Sequence, residues 1–190
     1  MNSIEFWKNE WESVTNTSAL FLPSIEEKNS NDETTCKTKR DKFPTAFIIE
    51  SNYPKPYSKV PPNCQDNDAA GNYLYENQCA IRMSIALSNS GLSFKTYTDP
   101  KCSHGHARGA RSLANWLWKN HLCQPKIYKG KDAQNIKTKI NSKAGILYFH
   151  NLSGEINNDH IDIYFNNETQ SNYVNLWEAK EYWFFELNDK

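Results

Sequence analysis

The sequence predicts an α+β fold in which N-terminal helices pack on an antiparallel sheet. Helix-like segments occupy the part of the chain before residue 123, whereas the last third alternates apolar and polar side chains. Helices that precede a run of alternating strands are typical of α+β domains. At 190 residues the chain is long enough to bury a core, so we expect one domain over 1–190.

Three segments are predicted before the first cysteine-bearing motif. Residues 4–14 space their apolar side chains along one helix face. Residues 24–42 are poor in apolar residues and are predicted to form a loop, so residues 1–45 look partly loop-like and have no assigned role. Residues 45–50 are predicted to form a short strand or a buried segment, and the prolines that follow exclude a central strand there.

A short helix is predicted from Asn77 to Gly91, with Cys79 in its first turn. Asn77 can cap the helix because its side-chain oxygen accepts a first-turn N–H, and Gly91 suits the C-terminal stop. Cys79 then lies beside unpaired N–H groups at the positive end of the helix dipole, and both favour the thiolate. Since the thiolate is the nucleophilic form of cysteine, this position suits covalent catalysis.

The second helix and the strands of the sheet follow. An apolar stripe at i, i+3, i+4 and i+7 predicts a helix over about 107–122. In the alternating segment that follows it, His160 and Asp162 share one face and isoleucines occupy the other. Strands are predicted over 145–150, 160–165, 173–177 and 181–187, with a turn at 166–168.

Composition and charge exclude two classes of function. The 22 Lys and Arg residues are balanced by 22 Asp and Glu residues, which argues against binding to nucleic acid. No apolar run is long enough for a membrane span. The N-terminal residues lack the basic and apolar regions of a secretory signal peptide, so we expect synthesis in the cytoplasm or export by a route that reads no such signal.

Five cysteines leave one thiol over if the other four pair in an oxidising compartment. We expect Cys79 to be the free thiol, with Cys36, Cys64, Cys102 and Cys123 available to pair. Cys102 and Cys123 flank the second helix and are the more interesting pair, although sequence does not fix the pairing. Five reduced and mostly buried thiols are the alternative.

A zinc site is a competing interpretation of the same region. Cys102, His104 and His106, with His121 and Cys123, have side chains of the types that bind zinc. However, His104 and His106 would lie on one short extended segment, and structural zinc sites more often use paired C-x₂-C motifs. We therefore favour a Cys102–Cys123 disulfide, and expect no metal and no cofactor.

His160 begins an alternating strand and can supply the base that a nucleophilic thiol needs. A cysteine at the start of an early helix and a histidine at the start of a later strand form the arrangement of papain-like thiol hydrolases, where a third polar side chain holds the imidazole. A surface histidine that begins a hairpin is the alternative. Spacing alone does not decide between them.

Three ordered motifs and a C-terminal strand then resemble a known family. They are Asn77–Ser84, Gly105–Ala110 with Ser112–Leu117, Asp159–Tyr164, and the ending Tyr182–Phe185. Together they are similar to the type VI secretion amidase effectors of family four, over roughly residues 73 to 187. The resemblance implies an NlpC/P60 (papain-like) fold and a peptidoglycan hydrolase that cuts between γ-D-glutamate and meso-diaminopimelate in stem peptides.

The resemblance also implies the catalytic residues. Cys79 would be the nucleophile, with its backbone N–H as an oxyanion donor, and His160 would be the base. The family has an acid about eleven residues after the histidine, where this chain has Ser171 followed by Asn172. Asn172 could orient the imidazole as an asparagine does in papain-like enzymes. Asp162 is an equal candidate, although side chains two apart on one strand rarely meet, and it could instead contact substrate.

Arg82 lies one turn after Cys79 and is a candidate to support the thiolate or to bind a stem-peptide carboxylate. A structural ion pair is the more common role for such an arginine. The resemblance further implies injection by the type VI secretion machinery, action in the periplasm of the recipient cell, and a cognate immunity protein. Two other functions stay open: a non-enzymatic cell-wall-binding module that uses the many aromatic residues, and a transglutaminase-like acyltransferase that uses the same cysteine.

Overall fold

A computed structural model of the chain describes residues 33–54, 64, 66–72, 74–75, 77–152, 158–171 and 175–189. The helices are α1 (Glu33–Lys42), α2 (Ala46–Ser51), α3 (Cys79–Asn89), α4 (Ala110–Asn120), α5 (Lys131–Gln134) and α6 (Ile136–Lys139), with a 3₁₀ turn at Leu176–Glu178. The strands are β1 (Lys126–Lys129), β2 (Ala144–His150), β3 (His160–Phe165), β4 (Glu168–Thr169) and β5 (Glu181–Leu187).

The five strands form one antiparallel sheet in the order β1-β5-β2-β3-β4. Apolar side chains of α2, α3 and α4 pack on one face, where Ile146 and Ile161 are fully buried. The other face, with Leu147 and Phe149, is covered by α5, α6 and the 3₁₀ turn. Helices packed on an antiparallel sheet confirm the predicted α+β class, and the cysteine-bearing helix before the histidine-bearing strand gives it the papain-like order.

The structure corrects the prediction for two N-terminal segments. Part of the predicted loop 24–42 forms α1, a helix with no buried side chain. The polar sequence of this segment indicated that it is exposed, but did not exclude a helix. Lys and Glu are good helix formers, and Lys37 pairs with Asp41 at 3.0 Å, one turn later. Of the two predictions for residues 45–50, the strand is wrong, because residues 46–50 form most of α2; the buried segment is right for Ala46 and Ile49. The predicted helix 4–14 lies outside the described residues, so the single domain over 1–190 stays a prediction.

Helix α3 begins one residue later than a cap at Asn77 implies. Gln78 and not Asn77 occupies the N-cap position, and its side chain makes no capping hydrogen bond. At the other end, Gly91 has a φ of +94° and its N–H bonds the carbonyl of Ser88, while the N–H of Leu92 bonds the carbonyl of Leu87, both at 3.0 Å. This pair of bonds is the Schellman motif, so the predicted stop at Gly91 is confirmed.

The second half follows the prediction with one exception. Helix α4 buries the predicted stripe, and strands β2, β3 and β5 lie at the predicted positions. Asn166 and Asn167 both have positive φ, as a tight two-residue hairpin turn requires. The predicted strand 173–177 is wrong in its described part, because Leu176 begins a 3₁₀ turn in which it is buried. Strand β1 was not predicted, since it is short and mostly exposed.

The disulfide differs from the predicted one. Cys123 pairs with Cys36, and Cys102 is a free thiol, as are Cys64 and Cys79. The predicted Cys102–Cys123 pair is therefore wrong. The unexpected helix α1 is the reason, since it brings Cys36 to the end of α4. No helix among the described residues has the length and apolar character needed to cross a membrane.

Reduction of the Cys36–Cys123 disulfide is expected to release α1 first, because this helix buries no side chain of its own. The bond closes a sequence separation of 87 residues, so its loss removes up to about 4 kcal/mol of stability. Hydrogen exchange of α1 and urea unfolding of Cys36→Ser would measure both effects. A reducing agent should destabilise the wild-type protein and leave Cys36→Ser unchanged; equal responses of the two would contradict the prediction.

Candidate active site

The structure brings together the two residues on which the predicted chemistry depends. Cys79 is the first residue of α3 and His160 is the first residue of β3, and these two elements pack against each other. The thiol and the imidazole are hydrogen-bond partners. Both side chains are nearly buried, at 6% and 3% exposure. A sulfur and an imidazole in contact at a helix N-terminus are the elements of a nucleophile and its base.

The surroundings of Cys79 favour its thiolate. Burial is the largest single influence and opposes ionisation of the thiol. The charge and hydrogen bond of His160, with the backbone N–H groups of Ile161 and Ala80, outweigh it and lower the pKa of Cys79. Both N–H groups follow from the fold, since Ala80 lies in the first turn of α3 and Ile161 follows the histidine on β3. The sulfur is therefore placed to act as an anion.

The surroundings of His160 favour its protonated form. Burial lowers the pKa of the imidazole, but the negative charge of Cys79 and a hydrogen bond to Asp162 raise it to about 9. The opposite directions of the two shifts favour a thiolate–imidazolium pair over a neutral thiol beside a neutral imidazole. Such a pair holds the nucleophile and the proton for a leaving group in one site.

Asp162 and Ser171 hold the other side of the imidazole. Nε2 of His160 lies 2.8 Å from the hydroxyl of Ser171 and 3.5 Å from Oδ2 of Asp162, which leaves Nδ1 for the thiol. The Ser171 hydroxyl donates to the same carboxylate oxygen, and the Ser171 N–H donates to it at 2.8 Å. The Ile163 N–H donates to Oδ1 at 2.8 Å. Asp162 is fully buried, so these donors compensate its charge.

The expectation that His160 and Asp162 do not meet is therefore wrong. They share one face of β3, and Ser171 bridges them. The β3–β4 register places Tyr164 opposite Thr169, so that Ser171 falls opposite Asp162 when the register is continued. Ser171 stands eleven residues after the histidine, which was the signal in the sequence for this side chain. Asn172, the other candidate, lies outside the described residues.

A cleft of about 790 Å³ opens beside the thiol. Cys79 lies in its wall, together with polar side chains from the segment before α4 and from α4 itself. The charged residues that line the cleft are Arg108, Arg111, Lys119, Asp99 and Asp159. A substrate with amide and carboxylate groups can reach the sulfur from this side.

Arg111 is fixed at the edge of the cleft near the histidine. Its Nε donates to the hydroxyl of Tyr148 at 3.1 Å and lies 3.4 Å from Oδ2 of Asp159. Asp159 also accepts from the Tyr148 hydroxyl at 2.7 Å and from Nδ1 of His150 at 2.8 Å.

Arg108, also in the wall, stacks over the ring of Tyr75 at 4.6 Å. These two guanidinium groups are the candidate carboxylate binders that sequence reasoning missed.

Arg82 is less suited to the predicted substrate contact. Its side chain is buried at 4% exposure, and it is not among the described residues that line the cleft. Arg82 is thus buried within the fold and does not face the cleft. Gln78 is also buried, and its side-chain amide donates to the carbonyls of Cys64 at 3.0 Å and Tyr75 at 2.8 Å. The side-chain N–H groups of Gln78 are thus used in structural hydrogen bonds. The backbone N–H of Cys79 stays the predicted oxyanion donor.

The thiolate–imidazolium pair predicts how Cys79 reacts with iodoacetamide at different pH values. The alkylation rate should rise with pH, and the midpoint of this rise should lie below 9.0, the ordinary pKa of a cysteine thiol, because His160 stabilises the thiolate. In His160→Ala this support is lost while burial remains, so the midpoint should move to higher pH. Peptide mapping would separate Cys79 from the buried thiols of Cys64 and Cys102. An unchanged midpoint in His160→Ala would show that the imidazole does not stabilise the thiolate.

Comparisons with known proteins identify relatives of this site. The family model of the type VI secretion system (T6SS) amidase effector protein 4, Tae4, matches residues 75–185. No curated protein sequence matches the chain. Among solved structures, the type VI effector Tae4 from Enterobacter cloacae is 17% identical with a TM-score of 0.47, covering 60% of this chain and 74% of that chain. The effector Tae4 from Salmonella typhimurium, in complex with the immunity protein Tai4 from Enterobacter cloacae, is 13% identical with a TM-score of 0.46, covering 60% and 76%.

Proposed function

The chain belongs to the family of T6SS amidase effector protein 4, and on that basis we propose that it is an antibacterial enzyme that hydrolyses the γ-D-glutamyl–meso-diaminopimelate bond of peptidoglycan stem peptides. The observation that carries this proposal is the contact of Cys79 with His160 beside an open cleft, within the matched residues. Family membership supports the class of reaction, and the contact supports Cys79 and His160 as the residues that would perform it.

Cys79 and His160 divide the reaction between them. The thiolate of Cys79 attacks the γ-carbonyl carbon, and the carbonyl oxygen becomes an oxyanion near the N–H of Cys79 at the helix end. His160 gives its proton to the amine of diaminopimelate, which leaves, and a thioester remains on the sulfur. Water then loses a proton to His160 and attacks the thioester, which releases the glutamyl product and restores the thiolate–imidazolium pair.

Asp162 and Ser171 position the imidazole during this cycle. The protonated Nε2 donates to the Ser171 hydroxyl, which donates in turn to Asp162. Because the carboxylate accepts two backbone N–H groups as well, it is held in place while the imidazole gains and loses its proton. In this proposal Asp162 takes the orienting role for which Asn172 was an equal candidate.

The charges of the cleft fit an anionic stem peptide. The free α-carboxylate of D-glutamate and a free carboxylate of diaminopimelate lie on either side of the bond to be cut. Arg108 and Arg111 lie in the cleft wall with the sulfur, and Arg111 is held by Asp159, the residue before the histidine. Guanidinium groups bind carboxylates with defined geometry, so they can fix the position of the bond.

The setting of the proposed reaction follows from its substrate. Stem peptides lie in the periplasm of the recipient cell, so the effector would act there after injection by the secretion machinery. Relatives of known structure are bound to the immunity protein Tai4. We propose that this chain likewise has a cognate immunity protein, which protects the producing cells by covering the cleft.

Purified diaminopimelate-type sacculi test the reaction directly. The wild-type protein should release stem peptides cut after γ-D-glutamate, identified by mass. Cys79→Ala and His160→Ala should lower the rate by about a thousandfold or more, because each removes a group that takes part in bond making. Intact stem peptides after incubation with the wild-type protein would refute the amidase proposal.

Further variants separate the remaining alternatives. Asp162→Asn should lower the rate by about 10- to 1,000-fold and move the alkaline limb of the pH profile to lower pH, because the carboxylate raises the pKa of His160. Asn172→Ala is the matched variant and should leave the profile unchanged. If Cys79→Ala kept full toxicity in cells, a binding module would be the better function. Products joined to an added amine would instead indicate an acyltransferase.

The two cleft arginines are expected to act on substrate binding. Arg108→Ala and Arg111→Ala should each raise KM by about 10-fold or more, because a charge-assisted hydrogen bond to a carboxylate is lost. Arg40→Ala on α1 is the control, since Arg40 does not line the cleft. Steady-state kinetics on a soluble stem peptide would measure this. Equal KM values for all three variants would exclude the arginines from substrate binding.

A further inference from the structure

A second cluster of reactive side chains lies outside the cleft, close to the start of α3. Cys64, Asp66, Cys102 and His104 place one thiol, carboxylate or imidazole atom each within 4.8 Å of all the others. The Sγ of Cys64 lies 3.4 Å from Nδ1 of His104, and the same nitrogen lies 3.5 Å from Oδ1 of Asp66. The amidase reaction described above uses none of these groups.

Two of the six separations in the cluster, 3.4 Å and 3.5 Å, match the edges of a tetrahedral zinc site. Zinc binds sulfur at about 2.3 Å, and imidazole nitrogen and carboxylate oxygen at about 2.0–2.2 Å. Ligands at these distances around a tetrahedral centre lie about 3.3–3.8 Å apart, as follows from the bond lengths and the tetrahedral angle. Two thiols, one imidazole and one carboxylate are also ligands that zinc accepts, whereas calcium and magnesium need oxygen ligands.

The groups around the cluster hold the ligands in position. Asp66 accepts the backbone N–H of Ser103 at 2.8 Å and the Ser103 hydroxyl, which directs its carboxylate toward the imidazole. The backbone of Cys64 is held by Gln78, which accepts its N–H and donates to its carbonyl, both at 3.0 Å.

Cys64 and Cys102 are buried at 0% and 5% exposure. Ile81, Tyr75 and Ile85 pack around the two thiols and shield them from water. Fixed outer partners and a dry surrounding are typical of structural metal sites.

We propose that Cys64, Asp66, Cys102 and His104 bind one structural Zn²⁺ ion. The two thiols lose their protons to solvent on binding, the aspartate is already ionised, and neutral His104 donates its Nδ1 lone pair. Four protein ligands fill the tetrahedral site, so the ion has no open position for a substrate. From the sequence we expected no metal here, and the competing zinc interpretation of this region had a different set of ligands. His106 and His121 lie outside the cluster, and Cys123 is bonded to Cys36.

The site would tie the loop that contains Cys64 and Asp66 to the catalytic helix. Gln78, which holds the backbone of Cys64, is the N-cap residue of α3 and directly precedes the nucleophile. Zinc would therefore stabilise the end of the helix on which Cys79 depends. This role does not require the amidase proposal to be correct, because it concerns metal content and stability alone.

The zinc content of the purified full-length protein tests the proposal. Native mass spectrometry after addition of zinc chloride should show about one zinc ion per chain together with one disulfide. Cys64→Ser, Cys102→Ser and His104→Ala should each bind zinc more than about 100-fold more weakly, since loss of an outer partner alone costs 10- to 100-fold. His106→Ala is the matched control and should keep the ion.

Further measurements distinguish the loss of a zinc ligand from the misfolding of a variant. His104 is largely exposed at its side chain, so His104→Ala should fold, which circular dichroism would verify. EDTA should lower the Tm of the wild-type protein and of His106→Ala, and should leave Cys64→Ser unchanged. Cobalt added in place of zinc should give the near-ultraviolet charge-transfer absorption of thiolate ligands. A wild-type protein without bound zinc, a Cys64–Cys102 disulfide, or equal binding by His104→Ala and His106→Ala would each overturn the proposal.

Discussion

The candidate active site depends on one contact, between Cys79 at the start of α3 and His160 at the start of β3. A thiolate and an imidazolium are each costly to bury, but together they compensate each other's charge in a site that is almost closed to water. The helix end and the strand backbone add N–H groups to the sulfur. Because both partners begin their elements, a shift of either element would separate them. Packing of α3 on β3 thus fixes the electrostatics and not merely the shape of the site.

The third position of the site depends on strand register. His160 and Asp162 share a face of β3, and the hairpin of two asparagines returns the chain so that Ser171 lies opposite the aspartate. A slip of one residue would turn both side chains of β3 to the other face. The hairpin turn is therefore as important to the imidazole as its hydrogen-bond partners are. A serine therefore stands at the position at which an acid was expected, and its hydroxyl contacts the carboxylate of Asp162 on β3.

The start of α3 is held from two sides. On one side His160 holds Cys79, and on the other Gln78 holds the backbone of Cys64. A helix without a side-chain N-cap gains its stability at that end from tertiary contacts instead. Two adjacent residues thus link the cleft to the cluster around Cys64: Cys79 lies in the cleft wall, and Gln78 bonds the backbone of Cys64. In the same way, a disulfide and not apolar burial attaches α1 to the rest of the described residues.

The sequence by itself determined the features that depend on local patterns. The cysteine at a helix start, the histidine at the start of an alternating strand, the stop at Gly91 and the tight turn were all predicted, because capping, glycine conformation and period-two alternation act between near neighbours. Only the tertiary structure decided which distant groups meet. The partner of Cys123, the bridge through Ser171 and the arginines of the cleft depend on packing between elements far apart in the chain. Local composition carries no information on such contacts, since they are set by register and burial.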